Sequence, residues 1–351
     1  MKLTLQKSTQ KRKAFAFMHL FAGTSLLFLS RHLYFHYPFY QTFISLQTKE
    51  IISFLFVIML VVLWVDTVLK YLFKSKLEET KLTLLFIFGY SLLLKLLSKL
   101  KSSKREINIK WNYEIKTAVL STIVKFFYIP IMLNFATAGA TAIWADLKAF
   151  DTNLLELNFN NLYSIAVAGI FLVDTSIFAF AYAFESKWLR SEIRSVEPTV
   201  LGWVAALATY PPFNALTGQI FPLAKSGDIL IFASQPIIFT RSVQILILLC
   251  HLVFVSASIA LGTKASNLTN RGIVSKGPYK YVRHPAYTAK LLAWLLTGLL
   301  YGINLDYYIF LIPYIFIYGL RAWTEEKHLS MDPDYVKYKQ QVKYRVFPKI
   351  F

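Results

Sequence analysis

Nine long apolar runs, separated by shorter polar and basic segments, set the pattern of this chain. They are Ala14–Ser30, Ile51–Phe73, Leu82–Leu97, Ala118–Trp144, Ser164–Phe184, Val200–Leu223, Ile237–Gly262, Thr288–Ile303 and Tyr307–Trp323. Runs of roughly 17–25 apolar residues suffice for a helix to cross the hydrocarbon core of a bilayer. The pattern therefore predicts an all-α, polytopic helical membrane protein. The last two runs predict a C-terminal helical hairpin turned at Asn304-Leu305-Asp306.

Two runs are irregular. Leu82–Leu97 is short, interrupted by Lys95 and followed by the basic series Lys99, Lys101, Lys104, Arg105 and Lys110. Val200–Leu223 is broken by Tyr210-Pro211-Pro212-Phe213, which predicts a bent or partial span. Parity helps to sort them. The N-terminal 13 residues, the loop 264–290 and the tail 324–351 are all basic, so all should face the cytoplasm. An even number of crossings is then required. Placing 82–97 in the interface leaves about eight transmembrane helices with both termini cytoplasmic.

Composition supports this class. The 351 residues are 56% hydrophobic and 16% charged, against about 25% charged in soluble domains. The formal charge of +19 is explained by Lys and Arg gathering in cytoplasmic loops and near anionic lipid. No basic-aromatic soluble module is present, which argues against a nucleic-acid partner. The single Cys250 excludes a disulfide within the chain and any multi-cysteine metal site. The six histidines are scattered without metal-ligand spacing, so no metal is expected.

The most informative polar segment is 270–287, NRGIVSKGPYKYVRHPAY. Arg271, Lys276, Lys280 and Arg283 lie in it without an acid. Pro285 disfavours helical geometry at His284 and is itself favoured at the first position of a helix. A loop feeding a helix N-terminus near Ala286 follows, and its free N–H groups make an anion site. The plain alternative is a cytoplasmic loop obeying the charge rule. That explains the lysines, but not the Gly272, Gly277-Pro278 and His284-Pro285 framework interleaved with Tyr279, Tyr281 and Tyr287.

A second group sits at the cytoplasmic end of the last run. Arg321 and Glu325 are four residues apart and share a helix face. They read either as an intrahelical salt bridge or as part of a site that the hairpin returns to the 271–287 loop. The tail, with Tyr335, Tyr338, Tyr344 and Phe347 among lysines, reads first as a helix lying on the headgroup layer, and second as a cap over a site. Asp66 and Asp174 lie within apolar runs and are candidates for function on that ground. Gly298 and Gly302 read as a helix-contact motif or as part of the hairpin turn. Asn267-Leu268-Thr269 matches a glycosylation sequon, a chance match in a cytoplasmic loop.

GIVSKGPYKYVRHPAY, a hydrophobic hairpin, RAWTEEKHL and then DYVKYKQQV together resemble the isoprenylcysteine carboxyl methyltransferase family, integral-membrane enzymes that use S-adenosyl-L-methionine. The resemblance covers about the last ninety residues, from Lys264. It implies cofactor contacts from Arg271, Gly272, Ile273, Val274, Tyr279, His284, Pro285, Ala286, Tyr287 and Glu325. It implies an acceptor contact from Arg321, with Arg321 and Glu325 carrying the chemistry in a cytoplasmic cofactor pocket. The acceptor implied is lipophilic, isoprenoid or prenylcysteine-like, reached from the lipid bilayer. On this basis the chain divides into 1–230, a transmembrane region without a readable role, and 231–351, a methyltransferase-like membrane domain. The chain departs from the family at Ala289, at Asp332-Pro333 and at Val342-Lys343. Two other readings stand beside this one: a membrane sterol-type reductase using NADPH, and a non-catalytic transporter or scaffold.

Overall fold

The computed structural model describes residues 2–73, 80–100, 111–153, 159–223, 235–302 and 305–347. Asn304 of the expected turn, the basic residues Lys101, Lys104, Arg105 and Lys110, and the domain boundary drawn at 230/231 lie outside the described residues. The chain divides into two compact units, Met1–Phe127 and Tyr128–Phe351.

The N-terminal unit contains α1 (Lys2–His36), α2 (Pro38–Gln41), α3 (Leu46–Leu72), α4 (Lys81–Leu100) and the start of α5 (Tyr113–Asn153). Ser45 begins α3 by accepting a hydrogen bond from the Thr48 N–H at 3.2 Å, which satisfies one orphan donor of the first turn. Asp66 is paired within its own unit. Lys70 Nζ lies 2.5 Å from it and His19 Nε2 3.6 Å, while His19 Nδ1 meets Thr80 Oγ1 at 2.9 Å.

The second unit continues α5 and adds α6 (Phe159–Ala183), α7 (Val200–Leu207), α8 (Phe213–Ile220), α9 (Ile237–Leu261), α10 (Pro285–Leu300), α11 (Leu305–Leu329) and α12 (Pro333–Gln341). Two short strands, β1 (Ser195–Val196) and β2 (Thr269–Asn270), pair antiparallel, with Ser195 opposite Asn270 and Val196 opposite Thr269. Helix α9 packs on α6 and α10, and α11 packs on α7 and α10. Ala289 is buried with Ile170, Phe254 and Val255, a small residue where α9 and α10 approach. Asp174 accepts a hydrogen bond from the Ser258 hydroxyl, so its polarity too is met within the helix packing.

Seven helical stretches among the described residues are long and apolar enough to cross a membrane. Helix α10 adds a sixteen-residue segment, about 24 Å long at 1.5 Å per residue. Seven stretches thus qualify against the about eight expected, since α10 falls short of a core of about 30 Å, and two assignments change places. The stretch Lys81–Ser98, expected to lie in the interface, is a continuous helix of crossing length. The stretch 200–223, expected to be a bent or partial span, is two eight-residue helices, each about 12 Å long, and neither reaches across a core of about 30 Å. Pro211 and Pro212 stand between them, where the missing N–H groups stop the helical ladder.

The hairpin α10–α11 closes on Gly298 and Gly302, which do different work. Gly302 has φ 72°, the left-handed region that glycine adopts without a Cβ clash. At Gly298 a Cβ would lie 2.7 Å from both Tyr307 Cδ1 and Tyr308 Cζ. Those rings are fixed in turn, with the Tyr307 hydroxyl donating to the Trp294 carbonyl at 2.7 Å and the Tyr308 hydroxyl to the Leu295 carbonyl at 3.3 Å. Gly298→Ala should therefore cost about 1–3 kcal/mol, as overpacking does, read as a lowered unfolding midpoint in detergent. An unchanged midpoint would show that the tyrosines move aside freely.

Candidate functional site

The site forms where β1, the 264–287 loop, the start of α10, the end of α11 and α12 meet. Its base is a buried carboxylate. Glu326 is 3% exposed and accepts from Arg283 Nε at 2.7 Å, Arg345 Nε at 3.1 Å and His284 Nε2 at 3.2 Å. Arg283 Nη1 donates onward to the carbonyls of Val342 and Lys343, both at 2.7 Å. The backbone repeats the connection, Arg283 N donating to Tyr344 O at 3.0 Å and His284 N to Arg345 O at 2.9 Å. One acid thus holds the loop, the last membrane helix and the tail together.

Above this base opens a cavity with roughly 920 Å³ of empty space, its open mouth included. Arg271, Gly272, Ile273, Val274, Tyr279, His284, Tyr287, Arg321 and Glu325 all line it. Pro285 and Ala286, expected to contact a cofactor, do not. Pro285 is fully buried as the first residue of α10, and Ala286 packs against the cluster of Ile170, Phe254 and Val255. The helix N-terminus proposed as the anion site is thus turned into the packing, and Thr288 Oγ1 there donates to the Val346 carbonyl at 2.8 Å.

The helix phase of α11 explains its contribution. Arg321, Thr324, Glu325 and His328 fall at i, i+3, i+4 and i+7, one face of a helix, and all line the cavity. Glu326 points to the other side. Arg321 is buried, and its partners are neutral: Nη1 donates to Thr209 Oγ1 at 2.7 Å and Nη2 to Asn267 Oδ1 at 2.9 Å. Its guanidinium lies 5.2, 5.4 and 5.7 Å from the ring centroids of Tyr287, Tyr318 and Tyr210, within cation–π range. The intrahelical salt bridge with Glu325 is not formed; Glu325 instead accepts from the Tyr287 hydroxyl at 2.8 Å. Tyr287 also stacks on His284, centroids 5.3 Å apart.

The loop wall is shaped by Arg271 and Gly272. Arg271 Nη1 donates to the carbonyls of Ala181 at 2.6 Å and Ser191 at 3.1 Å, and burial holds its pKa below the usual arginine value. Its Nε and Nη2, and the hydroxyl of Tyr335, are buried donors with no hydrogen-bond partner among the described residues. Gly272 has φ 93° and a Cβ there would sit 3.1 Å from Arg194 Nη2 and 3.2 Å from Lys264 Nζ. Any side chain would meet both strain and two cations.

The tail corrects the first sequence reading of that segment. Tyr335 and Tyr338 do not rest on a headgroup layer; they are 3% and 5% exposed, packed with Val342 against Ile273, Tyr279 and Leu329. The Tyr338 hydroxyl donates to the Tyr279 carbonyl at 2.8 Å. Helix α12 starts at Asp332, whose side chain caps the Asp334 N–H at 3.0 Å and accepts from Asn270 Nδ2 at 2.7 Å and Arg194 Nη1 at 3.1 Å.

Several cavity residues were missed by the sequence reading, namely Glu197, Asn267, Thr324 and His328, while Tyr335 and Tyr338 also line the cavity, in keeping with the second reading of the tail as a cap. The spacing from Arg321 was a usable signal for Thr324 and His328. Asn267, dismissed as a chance sequon, is a junction. Its Nδ2 donates to the hydroxyls of Tyr182 at 3.0 Å and Tyr210 at 3.2 Å while its Oδ1 receives Arg321.

Residues 241–332 match the family model of the phospholipid methyltransferases. The match covers about a quarter of the chain and contains the loop, α10 and α11. It supports an integral-membrane methyltransferase, of the kind that includes the isoprenylcysteine enzymes and generally uses S-adenosylmethionine. No curated protein matches the chain.

Two predictions follow from the base and the tail. Glu326→Ala leaves Arg283 buried and uncompensated, and should lower stability by about 3–5 kcal/mol, measured by denaturant unfolding in detergent. The second concerns acid. Burial alone would raise the Asp332 carboxyl, but the hydrogen bonds from Asn270, the Asp334 N–H and Arg194 outweigh it and hold its pKa below the usual 3.8. The folded state then binds its proton later than the unfolded state, so this stabilisation is complete above about pH 3.9 and disappears as pH falls through the depressed value. In thermal unfolding series from about pH 6 downward, the midpoint difference between wild type and Asp332→Asn should shrink in that acid window and stay constant above it.

Proposed function

We propose that this protein is an S-adenosylmethionine-dependent membrane methyltransferase acting on a lipophilic, isoprenoid or prenylcysteine-like acceptor. The observation that carries the reading is convergence. Nine residues singled out from the sequence, from Arg271 to Glu325, line one cavity, although two chain segments separated by a membrane hairpin supply them.

The donor set suits the cofactor. Glu325 offers a carboxylate to an ammonium. Tyr279 and Tyr287 offer aromatic faces to a sulfonium. The spare donors of Arg271 and the Tyr335 hydroxyl stand beside the same wall. When bound, S-adenosylmethionine supplies an electrophilic methyl group. The protein's part is to orient the acceptor in line and to exclude water. Arg321, with neutral partners and aromatic faces, is suited to hold an anionic group of the acceptor. The basic loop that lines the cavity supports a site on the cytoplasmic side, where a water-soluble cofactor is available.

Calorimetry on detergent-purified protein tests this reading. Wild type should bind S-adenosylmethionine saturably, and Glu325→Ala should weaken binding about ten- to a hundredfold, as expected for a lost charge-assisted contact of roughly 1.5–3 kcal/mol. His284→Ala should weaken it as well. Arg321→Ala should leave cofactor affinity unchanged and raise the acceptor KM. Binding of NADPH in place of S-adenosylmethionine would transfer the site to the reductase reading, and binding of neither by folded protein would leave the non-catalytic one.

A further inference from the structure

Arg321 is held in part by residues outside the matched segment 241–332. Its Nη1 donates to Thr209 Oγ1 at 2.7 Å. The Thr209 hydroxyl proton is committed elsewhere, to the Ala206 carbonyl at 2.9 Å, so the oxygen presents a lone pair to the guanidinium. Thr209 and Tyr210 stand between the end of α7 at Leu207 and the pair Pro211-Pro212. The break in 200–223 thus delivers both to α11, with the Tyr210 ring centroid 5.7 Å from the guanidinium.

Asn267 is the second tether, its Oδ1 accepting from Arg321 Nη2 at 2.9 Å. Tyrosines fix it in turn. The Tyr182 hydroxyl accepts from Asn267 N at 2.6 Å and from its Nδ2 at 3.0 Å, and the Tyr210 hydroxyl accepts from Nδ2 at 3.2 Å. Tyr128 backs both rings, stacked on Tyr182 with centroids 5.1 Å apart and edge-on to Tyr210 at 5.0 Å. Tyr128 and Tyr182 are fully buried. The residue after Asn267, Leu268, has φ 63°, a region that residues with a Cβ seldom adopt. Its carbonyl accepts the Glu197 N–H at 2.7 Å, which pins the turn beside the β1–β2 pairing. Strained backbone held in place at a cavity wall points to a functional constraint there.

Both tethers are uncharged. A carboxylate in place of the Asn267 amide would have the same shape and would hold Nη2 equally well, but it would pair with the cation and cancel it. The amide fixes the direction of the guanidinium and leaves its charge for a ligand. Tyr128, Tyr182, Thr209 and Tyr210 all precede the matched segment, so the setting of Arg321 comes from a part of the chain whose role the sequence left unread.

We propose that Asn267 is a positioning and specificity-determining residue for Arg321, framed by Tyr182, Tyr210 and Thr209. It holds the guanidinium at the cavity wall with a neutral group, so that the cation selects for an anionic group on the ligand. The inference rests on the reading of Arg321 given above.

The test uses full-length protein in detergent and two probes on one farnesyl thioether chain, ending in a carboxylate or in the carboxamide of the same shape, with binding read by calorimetry. Wild type should prefer the carboxylate probe by at least about tenfold, as a charge-assisted contact does. Asn267→Asp keeps an oxygen on Nη2, and the Tyr182 and Tyr210 hydroxyls can turn to donate to the new carboxylate. Its two probe affinities should fall within about threefold of each other, because the cation is already paired, while S-adenosylmethionine affinity stays near that of wild type. Asn267→Ala removes the tether without adding charge, and should weaken the carboxylate probe several-fold while still preferring it. Thr209→Val should also weaken that probe, and Thr209→Ser, which retains the hydroxyl, should recover the loss. A carboxylate preference kept in Asn267→Asp would overturn the proposal. Equal losses for both probes and S-adenosylmethionine in Asn267→Asp and Asn267→Ala would assign Asn267 to structure alone and overturn it too, as would a wild type that binds S-adenosylmethionine but does not distinguish the probes. Failure of wild type to bind S-adenosylmethionine at all is the separate outcome that removes the methyltransferase reading, and this inference with it.

Discussion

The Glu326 carboxylate is the constraint on which the rest of the site depends. A carboxylate buried this deeply is tolerable only when its charge is met and its lone pairs are used. Here Arg283 and His284 from the loop and Arg345 from the tail use them, joining two segments that would otherwise have no reason to be adjacent. Arg283 then spends its remaining donors on tail carbonyls. The result is a polar knot under the cavity that sets where His284, Tyr287 and the tail can be. The cavity above it is therefore preorganised by charge pairing outside the cavity itself, which is how a site keeps its geometry while leaving its own walls available.

The loop and the last helix were legible in the sequence because two local rules sufficed. Proline at 285 fixes where α10 begins, and the four-residue spacing of Arg321 and Glu325 fixes which face of α11 is used. The same phase, carried on by three residues, reaches His328. Other features depend on information a single chain does not carry locally. Tyr335 and Tyr338, three apart, suit a helix lying on lipid as well as one docked on protein, and only the partners Ile273, Tyr279 and Leu329 separate the two. Pro285 and Ala286 belong to the motif by sequence and to the packing by position, since a motif records adjacency along the chain and not which way each side chain turns. The exchange between 82–97 and 200–223 has a similar origin. Lys95 and the flanking charges demote a run that folds as one long helix, while the double proline marks where 200–223 breaks but not that each half stays too short to cross. Glu197 was out of reach altogether, because it joins the site through strand pairing with residues more than seventy positions away.

Arg283, in the loop before α10, and Arg321, in α11, show how one side-chain type is put to two uses. Both are buried. Arg283 has a carboxylate and two tail carbonyls, and its charge is consumed in holding the fold. Arg321 has a threonine, an asparagine and three aromatic faces, partners that fix its position while leaving its positive charge uncancelled. A cation held in that way costs free energy in the empty protein, and the cost falls when an anion arrives. Placed against a wall that also carries Glu325 and Glu197, it makes a cavity with separated positive and negative poles. Such a cavity distinguishes ligands by the spacing of their charges as well as by their shape. A wholly neutral ligand would leave the charge of Arg321 unmatched, while a ligand with an anionic group would meet it.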